Sequence, residues 1–142
     1  MRVVRSTIRT RTRIQKALLT MALLSITLCF TAGCNRARGA TYENAVRLTG
    51  GDPHAGATHI RQYGCSSCHT IPGIPGARGL VGPPLNNIAV RQIIAGQLPN
   101  TPENTMLWIR HPRSVLPHTV MPEMGVTEQD SRDITAYLYT LK

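Results

Sequence analysis

Large aromatic side chains are scarce in this chain of 142 residues, which has one Trp, one Phe and four Tyr. Phe30 lies in an N-terminal apolar stretch, so the body has even fewer. The length predicts one domain. A domain of about 100 residues has a thin core at best, and the rings that usually fill it are nearly missing here. Cysteine is also sparse, and four residues exclude a disulfide-dense scaffold. There is no strand-like alternation of useful length and no internal repeat. Lysine occurs only at Lys16 and Lys142. Something other than side chains is expected to fill the middle of this protein.

Sixteen Lys and Arg against seven Asp and Glu give a formal charge of +9. Six of the bases (Arg2, Arg5, Arg9, Arg11, Arg13 and Lys16) precede position 17, with no acid among them. From Cys34 onward ten basic and seven acidic residues remain, a net of +3. The body is only mildly basic, which excludes a nucleic-acid partner from the expectations.

The basic segment is followed by Ala17 to Phe30 (ALLTMALLSITLCF) and then Thr31-Ala32-Gly33-Cys34. A charged start, a short apolar segment and small residues describe a secretory signal peptide over residues 1–33. Ala32-Gly33-Cys34 resembles the end of a bacterial lipoprotein signal, although Thr31 stands where that pattern has Leu or Val. Ala17 to Gly33 also has nearly the length of an uncleaved anchor. Plain secretion, lipidation at Cys34 and anchoring stay open. All three place the domain on the periplasmic side of a bacterial envelope. Cys29 lies inside the apolar segment and Cys34 is acylated or spare, so Cys65 and Cys68 remain as the functional pair.

Residues 34–50 read as a polar tether and 51–142 as the folded domain. Asp52-Pro53 is a helix start, with Asp52 as cap and Pro53 at the first position. That helix is expected to reach about Tyr63, with Ile60 and Tyr63 inward, and to stop at Gly64. Residues 70–86 (TIPGIPGARGLVGPPLN) form a long loop. Asn87 to Ala95 reads as a short helix stopped at Gly96. Thr101-Pro102 starts another, which must end by His111 because Pro112 follows. Residues 112–126 read as irregular. Thr127 caps the last helix, where Ile134, Tyr137, Leu138 and Leu141 recur at helical spacing. The fold class is all-α.

Cys65-Ser66-Ser67-Cys68-His69 fits C-x-x-C-H. In an exported protein this pattern reads as covalent attachment of a c-type haem. Two intervening residues let one helical turn present both sulfurs to one edge of the ring. The adjacent His69 then stands over the iron. A thioredoxin-like couple would need a βαβ pattern, which is absent. A structural zinc site would bring a second close Cys pair, and no Cys follows residue 68. For the other face of the iron the candidates are Met106, Met121 and Met124, with His54, His59, His111 and His118 as rivals.

From about Pro53 to Leu141 the chain resembles the class I monohaem c-type cytochromes, especially small bacterial ones and cytochrome c domains attached to haem–copper oxidases. The matching stretches are YGCSSCHT (63–70), GPPL (82–85), NTPENTMLWIRHP (100–112), VMP (120–122) and DITAYLYTL (133–141). The resemblance implies a cytochrome c fold, about four short helices around one haem. It implies thioethers at Cys65 and Cys68 and axial ligands at His69 and Met121. It implies that the Pro83 carbonyl accepts a hydrogen bond from the axial imidazole. Trp108 matches an aromatic on the Met side of the haem. Arg91 matches an Arg that pairs with a propionate in some members. Gly56, Ile60 and Tyr137 are expected at the contact of the first and last helices. The lysine ring of mitochondrial members is missing, and Arg110 and Arg113 offer only a small basic patch.

The expected function is single-electron transfer between redox partners, such as a respiratory complex or terminal oxidase, by a monomeric carrier that is not itself an enzyme. Membrane association through a Cys34 lipid or an N-terminal anchor is compatible with it. The alternative class is a haem-bearing enzyme subunit or a gas or ligand sensor with a labile sixth ligand.

Overall fold

The computed structural model describes residue 21 and residues 41–142. The expected signal segment 1–33, residue 21 excepted, and Cys34 lie outside the described residues. Among the described residues no helix is long and apolar enough to cross a membrane.

Local chemistry sets the main helices where the sequence predicts them. Helix α2 runs Pro53–Gln62, and the Asp52 side chain accepts a hydrogen bond from the His54 amide. It ends at Tyr63, and Gly64 follows at φ +70, a conformation natural for glycine. Helix α3 runs Pro102–Arg110, with Thr101 accepting from the Asn104 amide. Pro112 closes it and opens the short α4, Pro112–Val115, inside a stretch expected to be irregular. Helix α5 runs Glu128–Leu138, and Thr127 accepts from the Asp130 amide. All three caps satisfy amides that the helices leave open.

Two stretches differ from expectation. Residues 41–49, expected as tether, are helical (α1), and Ala45 and Thr49 are buried. The Tyr42 and His54 rings lie 4.9 Å apart, so the packed domain begins before residue 51. The expected helix from Asn87 to Ala95 is instead a 3-10 turn, Ile88–Val90, followed by a minimal antiparallel hairpin. Its strands are β1, Ile93–Ile94, and β2, Leu98–Pro99, with Ile94 opposite Leu98.

Asn100 explains that second difference. Its side-chain amide donates to the Ile88 carbonyl at 2.7 Å and the Arg91 carbonyl at 2.9 Å. Those carbonyls would otherwise propagate a helix. Its Oδ1 accepts from Tyr139 at 3.0 Å and Thr105 at 3.2 Å, tying the hairpin to α3 and the end of α5. Asn100→Ala is therefore expected to cost about 2–3 kcal/mol, because each net bond is worth about 1 kcal/mol and its partners are left unpaired. Urea denaturation checks this, and a loss below about 0.5 kcal/mol would contradict it.

The fold closes where α2 crosses α5. A Cβ on Gly56 would strike the Asp133 carbonyl and meet the Tyr137 Cβ at 3.0 Å. Only glycine permits that approach. Asp133, buried on α5, accepts at 2.8 Å from the amide of Asp52, which caps α2. Tyr63 donates to Asp130 at 2.6 Å. That bond holds the Asp130 carboxyl below the usual carboxylate range and pushes the Tyr63 phenol up. Ile60, Ile109, Val126, Ile134, Tyr137 and Leu138 belong to the buried cluster around this crossing.

Candidate functional site

The sequence Gly64-Cys65-Ser66-Ser67-Cys68 winds into one 3-10 turn, Cys65–Ser67, directly after α2. The Ser67 hydroxyl donates to the Gly64 carbonyl at 2.7 Å, and the Cys68 and His69 amides both donate to the Cys65 carbonyl. One turn thus sets both thiols on the same side, and both are free. Burial pushes the Cys65 thiol up.

A strap over residues 79–85 crosses the motif. The Gly82 amide donates to the Cys68 carbonyl and the Leu85 amide to the Thr70 carbonyl, each at 2.8 Å. A Cβ on Gly79 would strike the Cys68 backbone, and one on Gly82 would strike the His69 ring. Strap and imidazole are therefore in face contact at Gly82. His69 Nδ1 then donates to the Pro83 carbonyl at 2.7 Å, the bond that the family resemblance implies. With Nδ1 committed, Nε2 is the lone-pair nitrogen available to a metal.

These groups open onto a cavity of about 580 Å³. That is within the range of about 300–1,000 Å³ typical of small-molecule sites. Cys65, Cys68, His69 and Pro83 line it, together with Trp108, Met121 and Met124. Most of the other walls are apolar, including Ile60, Leu85, Ile88, Ile94, Ile109 and Leu138. Met106 is not part of the lining, nor is His54, His59, His111 or His118. Of those candidates Met121 and Met124 line the cavity. Met121 lies in the loop before α5, where its amide donates to Thr119 Oγ1 at 3.2 Å. Met124 also packs against the buried cluster.

Arg91 lines the cavity as well, but its guanidinium donates to the Pro84 carbonyl at 2.6 Å and the Asn86 carbonyl at 2.9 Å. Those two bonds tie it to the end of the strap. The residues that sequence reasoning missed are Gly79, Gly82 and Asn100. The glycines do have a signal, since each interrupts a Pro-rich loop where the strap passes against the Cys68-His69 segment. Asn100 has none, because its four partners are 5 to 39 residues away.

The donor set fits an iron porphyrin: an imidazole with a free Nε2, two thioether candidates, two adjacent thiols and a mostly apolar wall. An all-α domain around such a cavity belongs to the class of small cofactor-centred redox domains. Residues 54–142 match the family described as Cytochrome c, which covers more than half of the chain. The chain belongs to the cytochrome c family, and a cytochrome c domain is a haem-binding electron-transfer module. Over 84 residues the chain is 37% identical to cytochrome c oxidase subunit 2 of Alkalihalophilus pseudofirmus, a stretch covering 58% of this chain and 24% of that protein. It spans about a quarter of that relative's length. No solved structure matches.

Proposed function

We propose that this chain is an exported single-electron carrier with one haem c, attached through Cys65 and Cys68, with His69 and Met121 as axial ligands. The observation that carries this reading is the His69–Pro83 bond beside two free thiols and a methionine on one cavity. Bound haem c supplies one-electron iron chemistry. The chain's own residues do the rest. Pro83 fixes the His69 ring and raises its basicity. The Met121 thioether and the apolar walls favour the reduced state, so the potential is high. With His69 and Met121 both holding the iron, no position would be left for a substrate, which supports an electron carrier rather than an enzyme.

Export follows from the basic and apolar residues of the first 33 positions. The carrier then works on the periplasmic side of the envelope, either free or held by a Cys34 lipid or an N-terminal anchor. The likeness to an oxidase subunit supports a respiratory oxidase or an adjoining complex as its partner. Docking is transient and the carrier is a monomer.

Met121→Leu tests the ligand set. The expected result is loss of the weak long-wavelength band of a Met-ligated ferric haem, together with carbon monoxide binding to the ferrous form. The potential is expected to fall by a sizeable part of the about 0.8 V that axial ligands span. An unchanged spectrum, with the band lost in Met124→Leu instead, would transfer the role to Met124.

A further inference from the structure

His59 on α2 meets Asp130 and Asp133 on α5, away from the haem cavity. His59 Nε2 lies 3.4 Å from Asp130 Oδ1 and 3.5 Å from Asp133 Oδ2. The three ligand atoms all lie within 4.8 Å of one another. Every other polar atom of the cluster is already engaged. His59 Nδ1 faces Gln62 Oε1 at 3.0 Å, which puts the ring proton on Nδ1. Asp130 Oδ2 accepts from Tyr63 at 2.6 Å. Asp133 Oδ1 accepts from the Asp52 amide at 2.8 Å and from Gln129 at 3.0 Å. What remains is His59 Nε2 facing one oxygen of each carboxylate. Such a cluster is stabilised by a positive charge at its centre, either a proton on Nε2 or a metal ion.

We propose that His59, Asp130 and Asp133 form a binding site for a borderline divalent transition cation of the zinc type, which cross-links α2 to α5. Zn–N of about 2.0–2.1 Å and Zn–O of about 2.0–2.2 Å place tetrahedral ligand atoms roughly 3.3–3.5 Å apart. The observed 3.4 and 3.5 Å fit two of those edges. A nitrogen donor with only two carboxylates is a poor set for calcium or magnesium, which prefer all-oxygen shells. The outer shell is complete: the imidazole donates to a carbonyl oxygen and both carboxylates accept hydrogen bonds, the pattern that orients metal ligands. His59 and Asp130 side chains are about one-fifth exposed, so an ion can enter and water can hold the fourth position. None of the three residues lines the haem cavity, and the proposal does not rest on the haem reading.

The test is equilibrium dialysis of the haem-loaded protein against micromolar zinc chloride, with metal analysis and a thermal melt. The expected result is one zinc per chain and a higher melting temperature. His59→Gln is expected to lose both, Asp130→Asn to weaken binding severely, and Gln62→Ala to weaken it roughly tenfold. His111→Gln, at an exposed His–Glu pair elsewhere, is expected to leave zinc binding unchanged. Equal zinc uptake by wild type and His59→Gln would overturn the proposal. So would a His59→Gln variant that is less stable than wild type while zinc affects neither, because a proton alone would then occupy the point of convergence. The haem spectrum is read alongside, and it is expected to be the same with and without zinc.

Discussion

Without its two motif thiols, as Cys65→Ser/Cys68→Ser, the chain is expected to lose covalent haem and most of its cooperative fold. The walls of the 580 Å³ cavity include Ile60, Ile88, Ile109, Val126, Ile134 and Leu138, which are also members of the buried cluster. The core and the site share the same side chains. Truncating one large core side chain already costs about 2–5 kcal/mol, and a space of 580 Å³ left unfilled removes packing partners from many more atoms. The whole stability of a domain is about 5–15 kcal/mol. One Trp and four Tyr outside the apolar leader cannot make up the difference. Circular dichroism during heating gives the answer: a shallow, non-cooperative loss of helix is expected. A melt as sharp and as high as that of the wild type would show that the protein side chains suffice by themselves.

Gly56→Ala is the second large effect, and here two physical terms predict opposite signs. By helix propensity alone, alanine within α2 should stabilise by about 1 kcal/mol. By packing, its Cβ would enter the Asp133 carbonyl and press on Tyr137, forcing the two helices apart. Overpacking of this kind costs typically 1–3 kcal/mol, and more where backbone must move. Here the obstacle is backbone, so packing should win. The expected net loss is about 2–3 kcal/mol, or a fall in Tm of roughly 10–20 °C. A rise in Tm would mean that the crossing is looser than the structure has it.

The helices that carry the fold were legible because their ends are chemical. Asp52-Pro53, Thr101-Pro102 and Thr127 are caps whose hydrogen bonds involve residues two or three positions away. Cys65, Cys68 and His69 are legible because their spacing reflects one turn, whereas the Pro83 carbonyl is legible only through the family resemblance. Residues 87–95 were misread because NIAVRQIIA has the apolar content of a helix, while the deciding hydrogen bonds come from Asn100, beyond the segment. Ala95 and Gly96 both adopt positive φ, 51 and 75, so the Gly96 signal marked a hairpin turn rather than a helix end. Residues 41–49 looked aperiodic because only Ala45 and Thr49 of that stretch are buried. The two carbonyls that accept from Arg91 lie within seven residues of it, but nothing in the sequence marks them as acceptors.

The bond from the Asp52 amide to Asp133 spans 81 positions of chain. While the protein is being made, α2 emerges from the ribosome long before the helix it must pack against. Contacts of such long sequence separation close slowly, so the crossing is expected to form late and as one cooperative step.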